Sequence, residues 1–486
     1  MSHPFAGLKP ESLWNAFYGI TQVPRPSKHE ERISAHIEAW AGEHGFKVLK
    51  DAIGNLVVKV PASPGKESAK PVVIQGHLDM VCEKNKDTEH DFMNEPIKVR
   101  LEDGWVYATG TTLGADNGIG VAAGMAAATD PDVVHGPLEL LMTMDEETGL
   151  TGAKELDASL IDSRIMLNLD SEEDGVIYVG CAGGADVHTH FKPDTNPPVD
   201  GTRSYKIEVT GLRGGHSGLN ILENRGNAVK LLVRTLLAAE ENGIEFELAA
   251  LTGGDMHNAI PRESEAILFL KENDVASLEK VIASCIEDYR VELKGVDDNL
   301  AISLNATKHD GPVLQASAQV ALLCFLDATP HGVLAMSNDL EGLVETSNNL
   351  AAVKMEDNSY MILTSCRSSI MSAMEDVLST MESIAVLAGF EAEVQVGYPG
   401  WKPDMSSNVL QVVRKVYAGI WNKDPRVTAI HAGLECGLLG DKVPGMDMVS
   451  FGPQIEGAHS PDERLHIEST GRFWEALKQV LAELAG

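Results

Sequence analysis

A series of short apolar runs constrains this chain more than any other feature: NLVVKV from Asn55, PVVIQG from Pro71, LELLMTM from Leu138 and RIMLNLD from Arg164. Each is bounded by glycine, proline or charge. Runs this rich in Val, Ile and Leu, and this short, read as central strands covered on both faces. Helical patterns separate them. Ser27 to Glu30 reads S-x-x-E, a capping box that predicts a helix running toward Gly45. Alternation of this kind predicts an α/β domain, with helices on both faces of a mixed, mostly parallel sheet.

The pattern changes after KPDTNPPVDG, a stretch with three prolines from Lys192 to Gly201 that is expected to cross between domains. Strand patterns SYKIEVTGL, IEFELAAL and ESEAILFLK, with helices from about Asn224 and about Ala276, predict helices on one face of an antiparallel sheet. A second round follows: ISL, a helix near Ala316, strands around Leu343 and Tyr360, a helix near Met371, then EAEVQV. Beyond YPGWKPD a helix over Val409 to Gly419, RVTAIHAG and MDMVSFGP return to the first pattern. The expected division is therefore one α/β domain formed by residues 1–186 and 398–486, interrupted by an inserted α+β domain over 187–397. At 486 residues, two cores are the natural solution.

A formal charge of -33, from 72 acidic and 39 basic residues, repels nucleic acid and anionic membrane surfaces and favours a small-molecule substrate. The six cysteines are scattered with no C-x-x-C pair, which fits a reducing cytoplasm rather than a disulfide framework or thiolate zinc cluster. The N-terminus lacks a basic segment followed by an apolar stretch, and no apolar run approaches the ~20 residues of a membrane span.

Ligands of open parallel sheets collect at the carboxyl ends of the strands. PVVIQG runs into His77-Leu78-Asp79, LELLMTM into Asp145-Glu146-Glu147, RIMLNL into Asp170, and MDMVSFGPQIEGA leads to His459. Asp116, in GTTLGADNGIG, sits at an expected helix start. Taken singly, Asp116 could cap a helix, His77 and His459 could be satisfied loop histidines, and the Glu pair could be a solvated turn. Together they form a set of two imidazoles and several carboxylates without thiolate, which suits zinc, cobalt or manganese. Competing motifs fail. Gly118-x-Gly120-x-x-Ala123 follows no convincing strand and reads as close helix packing, while GGHSGL around Ser217 departs from G-x-S-x-G at Leu219. There is no P-loop and no H-E-x-x-H.

The segments QGHLDMV, TTLGADNGIG, MTMDEETGL, NLDSEE, GCAGG, GLRGGHSG, NAIPRE, HAGLECG and GAHSPDE together resemble the bacterial Xaa-His (aminoacyl-histidine) dipeptidases. These belong to the carnosinase, aminoacylase and glutamate carboxypeptidase superfamily of two-zinc hydrolases. The likeness extends from VPRPSKHEE to the C-terminal histidine motif, with no departure at a metal or catalytic position.

The resemblance implies that two divalent ions, zinc first with cobalt or manganese as alternatives, are bridged by Asp116. It places His77 and Asp170 on one ion, and Glu147 and His459 on the other. It makes Glu146 the general base and Asp79 the acid that orients the His77 imidazole. It further implies that the inserted domain is a lid or dimerisation domain of a cytoplasmic homodimer. His216 would then stabilise the oxyanion, and Asn258, Arg367 and Gly433 would bind a small peptide substrate. Superfamily relatives such as aminotripeptidases and N-acyl amino acid deacylases share the metal motifs. A metal-dependent binding protein would have no need of Glu146.

Overall fold

The computed structural model describes residues 3–486, which form two compact units. One comprises the chain up to Cys181, Trp401–Ala429 and Leu434–Gly486; the other comprises Ala182–Gly400 and Ile430–Gly433. The crossing thus falls between Cys181 and Ala182, earlier than both the expected boundary at residue 186 and the proline-rich stretch. That stretch is internal to the second unit, where Thr195–Asn196 pairs with Val313–Leu314. Prolines there mark an edge ribbon, which tolerates their missing N–H groups.

The first unit is built on an eight-stranded sheet. Its order is Lys47–Lys50, Leu56–Val60, Leu138–Thr143, Val72–His77, Ile165–Asn168, Asp447–Ser450, Val176–Cys181 and Arg426–Ile430. The four strands from Leu138–Thr143 to Asp447–Ser450 run parallel, and antiparallel strands flank them. Every residue of Val72–His77 and Leu138–Thr143 is buried. Because successive side chains point to opposite faces, both faces are covered at the centre. Helix Ala115–Thr129 packs on Val72–His77, and helix Asn408–Trp421 packs on Asp447–Ser450.

The predicted close packing of the glycines in Ala115–Thr129 is observed. A methyl group on Gly120 would meet the Leu169 carbonyl at 2.5 Å, and one on Gly118 would meet Arg25 Nη2 at 2.7 Å. The predicted capping box does not form. Helix Glu31–Glu43 has no side-chain cap, since Ser27 Oγ donates to Asp79 and Glu30 Oε1 accepts from the backbone N–H groups of Lys28 and Asp145. Both side chains are diverted to the strand-end loops.

The second unit contains a nine-stranded sheet in the order Ala301–Ala306, Thr202–Thr210, Ser264–Lys271, Phe246–Gly253, Val344–Glu356, Ser359–Ser368, Gly183–Phe191 and Glu391–Val394. Gly332–Met336 pairs additionally with Val344–Glu356. All these pairings are antiparallel. Helices Ala228–Glu241, Val275–Glu292 and Ala316–Ala328 contribute Leu232, Leu236, Leu278, Leu322 and Leu326 to one core with Leu268 and Ile362 of the sheet. The ISL segment, expected to open a second round, instead pairs with Thr202–Thr210 at the edge of the first.

Candidate metal centre and substrate subsite

In the first unit, three strand ends, the start of helix Ala115–Thr129 and the loop after Ile455–Glu456 bring the five expected ligands together. His77 ends its strand with its side chain 1% exposed; Nε2 lies 3.0 Å from Asp116 Oδ1 and 3.3 Å from Asp170 Oδ1. His459 Nε2 lies 3.1 Å from Asp116 Oδ2 and 3.1 Å from Glu147 Oε2. Each oxygen of Asp116 therefore faces a different imidazole. In each of the two groups, His77–Asp116–Asp170 and Asp116–Glu147–His459, one ligand atom per residue lies within 4.8 Å of the others, and the two groups share one carboxylate.

These residues fit a pair of divalent cations on their own chemistry. Three carboxylates crowd around two imidazoles; buried Glu147 Oε1 has no hydrogen-bond partner, and Asp170 Oδ1 has only the His77 nitrogen at 3.3 Å, outside hydrogen-bond geometry. Buried charge and orphaned oxygens of this kind call for a cation. The same demand shows in protonation: Asp116 and Glu147 push the His459 imidazole up to about 11. For His77, burial acts downward, but Asp170 and Asp116 outweigh it and hold the imidazole well above its ordinary value.

The supporting contacts are specific. His77 Nδ1 faces Asp79 Oδ1 at 3.3 Å. Asp79 also accepts the backbone N–H of Glu146 at 3.0 Å and of Glu147 at 3.2 Å, so one buried carboxylate lies against the imidazole and holds the backbone of both glutamates. Burial opposes its charge, yet His77, Ser27 and the Glu146 N–H outweigh that effect and hold its carboxyl at about 2. Asp145 enables the tight turn by adopting φ 49°, in the left-handed region.

Asp116 is not in regular helical conformation, with φ -76° and ψ 114°. Its loop is held from the C-terminal motif. Glu463 Oε2 accepts the N–H groups of Leu113 (2.7 Å) and Gly114 (2.9 Å), while Oε1 accepts those of Ala115 (2.7 Å) and Asp116 (3.3 Å). A four-stranded sheet joins Ile455–Glu456 and Arg464–His466 to Trp105–Ala108 and Val99–Glu102, anchoring both ends of the loop that carries His459 and Glu463. His459 itself has φ 62°, an uncommon backbone state for a residue other than glycine and one that this anchoring maintains. Arg25 is buried beneath, donating to the carbonyls of Leu78, Asp79 and Gly114.

Glu146 can approach the same cluster, grouping with His77 and Glu147. Burial pushes its carboxyl well above the usual range, and Asp170, Glu435 and Glu147 act in the same direction against His77. Glu435 lies deeper. Burial holds it at about 7, and Gln75 Nε2 (2.6 Å) and Thr143 Oγ1 (2.7 Å) donate to its Oε2.

His216, Asn258, Arg367 and Gly433 all belong to the second unit. His216 Nδ1 accepts the N–H groups of Gly218 and Leu219, each at 3.1 Å, which leaves Nε2 carrying the proton. Burial and then the charges of Arg367 and His257 lower this imidazole to about 4, so it stays neutral at neutral pH. The Asn258 carbonyl accepts the Ser217 N–H at 2.8 Å. Arg367 Nε lies 3.4 Å from Ser217 Oγ, so these residues form one neighbourhood. Gly433, expected within the α/β domain, lies in the second unit, and a methyl group there would meet the Tyr398 ring at 2.8 Å.

Residues 73–483 match the peptidase family M20/M25/M40. The chain belongs to that family. This M20/M25/M40 peptidase is 44% identical over 477 residues to the cytosol non-specific dipeptidase of Escherichia coli (strain K12), covering 98% of each sequence. It is similar to the crystal structure of aminoacylhistidine dipeptidase from Vibrio alginolyticus, with a TM-score of 0.94 and 41% identity over 99% of this chain and 98% of that one. Aminopeptidase PepT from Bacillus cereus shares the fold, with a TM-score of 0.57 at 18% identity over 99% of this chain and 100% of that one. Among the described residues, no helix of the peptidase is long and apolar enough to cross a membrane.

Sequence reasoning singled out neither Glu463 nor Glu435, nor the polar residues Ser347, Asn348 and Asn349 buried in Val344–Glu356. A run of polar residues inside a strand otherwise rich in apolar ones was the available signal, because such groups are buried only with partners. Asn349 Nδ2 donates to the Ala259 carbonyl at 2.8 Å, and Ser347 Oγ lies 2.7 Å from His431 Nε2.

Proposed function

We propose that this peptidase is a cytoplasmic, metal-dependent dipeptidase that prefers histidine as the C-terminal residue, β-alanyl-histidine included. The observation that carries the reading is the pair of ligand groups sharing Asp116. His77 and Asp170 would hold one divalent ion and Glu147 and His459 the other, with zinc the first choice for a set of imidazole and carboxylate without thiolate. Such ions, when bound, supply Lewis acidity and lower the pKa of water toward neutrality.

The residues of the chain do the rest. Asp79 keeps His77 in the ligating orientation. Glu146 takes a proton from the attacking water and delivers it to the leaving amine. His216, neutral and protonated at Nε2, donates to the oxyanion of the tetrahedral intermediate. Arg367 reads the substrate's terminal carboxylate, for which a guanidinium fork is well shaped, and Asn258 and Gly433 complete substrate binding. The inserted unit is the lid or dimerisation domain of a homodimer, a role supported by the resemblance of its motifs.

Identity to relatives named for broad and for histidine-directed dipeptidase activity supports dipeptides as the substrate class. The test is a panel of Xaa-His and other dipeptides, a tripeptide and an N-acetyl amino acid, assayed on chelated protein before and after adding zinc, cobalt or manganese. Activity should disappear on chelation, return with metal, and be greatest on Xaa-His. Full activity without metal, or equal rates on tripeptides and dipeptides, would overturn the reading.

A further inference from the structure

Arg367 is 6% exposed, yet its side-chain partners are uncharged hydroxyls. Nε faces Ser217 Oγ at 3.4 Å and Nη1 donates to Tyr398 Oη at 3.0 Å. A buried guanidinium whose protein partners are neutral is left to be balanced by an anion that is not part of the protein.

Tyr398 is built into this position rather than resting there. Its backbone pairs both ways with Gly184, N to O at 2.9 Å and O to N at 3.1 Å. Gly184 is in turn the register partner of Arg367 on the neighbouring strand. The phenol ring needs glycine on two sides. A methyl group on Gly184 would lie 2.8 Å from Tyr398 Oη, and one on Gly433 would lie 2.8 Å from Cε2. The requirement for Gly433 is thereby met by the tyrosine ring. Accepting from Arg367 occupies a lone pair of the phenol oxygen, while its own O–H is left as a donor beside the guanidinium.

From this arrangement we infer that Tyr398 is a further substrate-binding residue, donating its phenol O–H to the same terminal carboxylate that Arg367 binds. The inference rests on the dipeptidase reading above. It makes the anion subsite a three-way fixture, with Gly184 setting the phenol and the phenol setting the Arg367 fork.

The experiment compares holoenzyme and Tyr398→Phe on a free dipeptide and on its C-terminal amide. Phe keeps the ring packing and removes only the hydroxyl. KM for the free dipeptide should rise about 10- to 100-fold, the range for one hydrogen bond to a charged group, with kcat nearly unchanged. The amide, a poor substrate for the parent, should lose nothing further. Gly184→Ala, which displaces the ring, should give the same KM signature. An unchanged KM, or equal losses on both substrates, would refute the role of Tyr398 while leaving dipeptide hydrolysis intact. A parent enzyme that does not distinguish free from amidated dipeptides would overturn both this inference and the Arg367 assignment.

Discussion

Glu146 and Glu147 are sequence neighbours whose backbones are both held by Asp79, yet their side chains face different tasks. Glu147 Oε2 is 3.1 Å from His459 and groups with Asp116 and His459, whereas Glu146 groups with His77 and Glu147 without an ion pair to either histidine. Changing each to Gln separates the roles. Glu146→Gln should retain metal and fold while turnover falls by about 10² to 10⁴, the usual range for loss of a general base. Glu147→Gln should bind one ion more weakly and be partly rescued by added metal. Metal analysis beside kinetics checks both, and loss of metal in Glu146→Gln with full occupancy in Glu147→Gln would reverse the assignments. Residues like these were legible because they stand where a buried strand ends. Tyr398 and Glu435 were not, since their significance comes from partners such as Arg367 and Gln75 that sit far away in sequence.

At the scale of elements, the loop between Ile455–Glu456 and Arg464–His466 does two things at once. It presents His459 to Asp116 across 343 residues of sequence, and through Glu463 it gathers the N–H groups of residues 113–116. Hydrogen bonds from N–H to carboxylate are among the stronger kind, so Glu463 sets where the shared carboxylate stands. Glu463→Gln turns one oxygen into an NH₂ group that faces N–H donors. It should weaken metal affinity by about 10- to 100-fold, as loss of an outer partner of a metal site does, while Glu146 remains in place. Competition with a chromophoric chelator measures this, and an affinity equal to the parent's would show that the loop holds Asp116 without it. The same scale explains the false capping box. Ser27 and Glu30 have the spacing of a helix cap, but Asp79 and the Asp145 N–H offered partners that local sequence could not reveal. Tertiary contacts overrode a local signal of modest strength.

Across the whole molecule, the residues expected to hold metal lie in one compact unit, and those expected to bind substrate lie in the other. The α/β pattern was readable because buried parallel strands leave continuous apolar runs, but the crossing point was not. Val176–Cys181 and Gly183–Phe191 follow each other almost without a break while belonging to different sheets, and neither proline nor a loop marks the change. This separation predicts that damage in the second unit spares metal binding. His216 is the sharpest case. Its Nδ1 is committed to two backbone N–H groups, and its neutral form persists down to about 4, so across neutral pH it can only donate from Nε2. His216→Ala should therefore keep the parental metal content while turnover falls by about 10² to 10³, the range for removing one oxyanion donor. Metal analysis and steady-state kinetics on the same preparation provide the test. Loss of metal would make His216 a ligand, and parental turnover would leave its two backbone hydrogen bonds as its whole role, that of shaping the GGHSG turn.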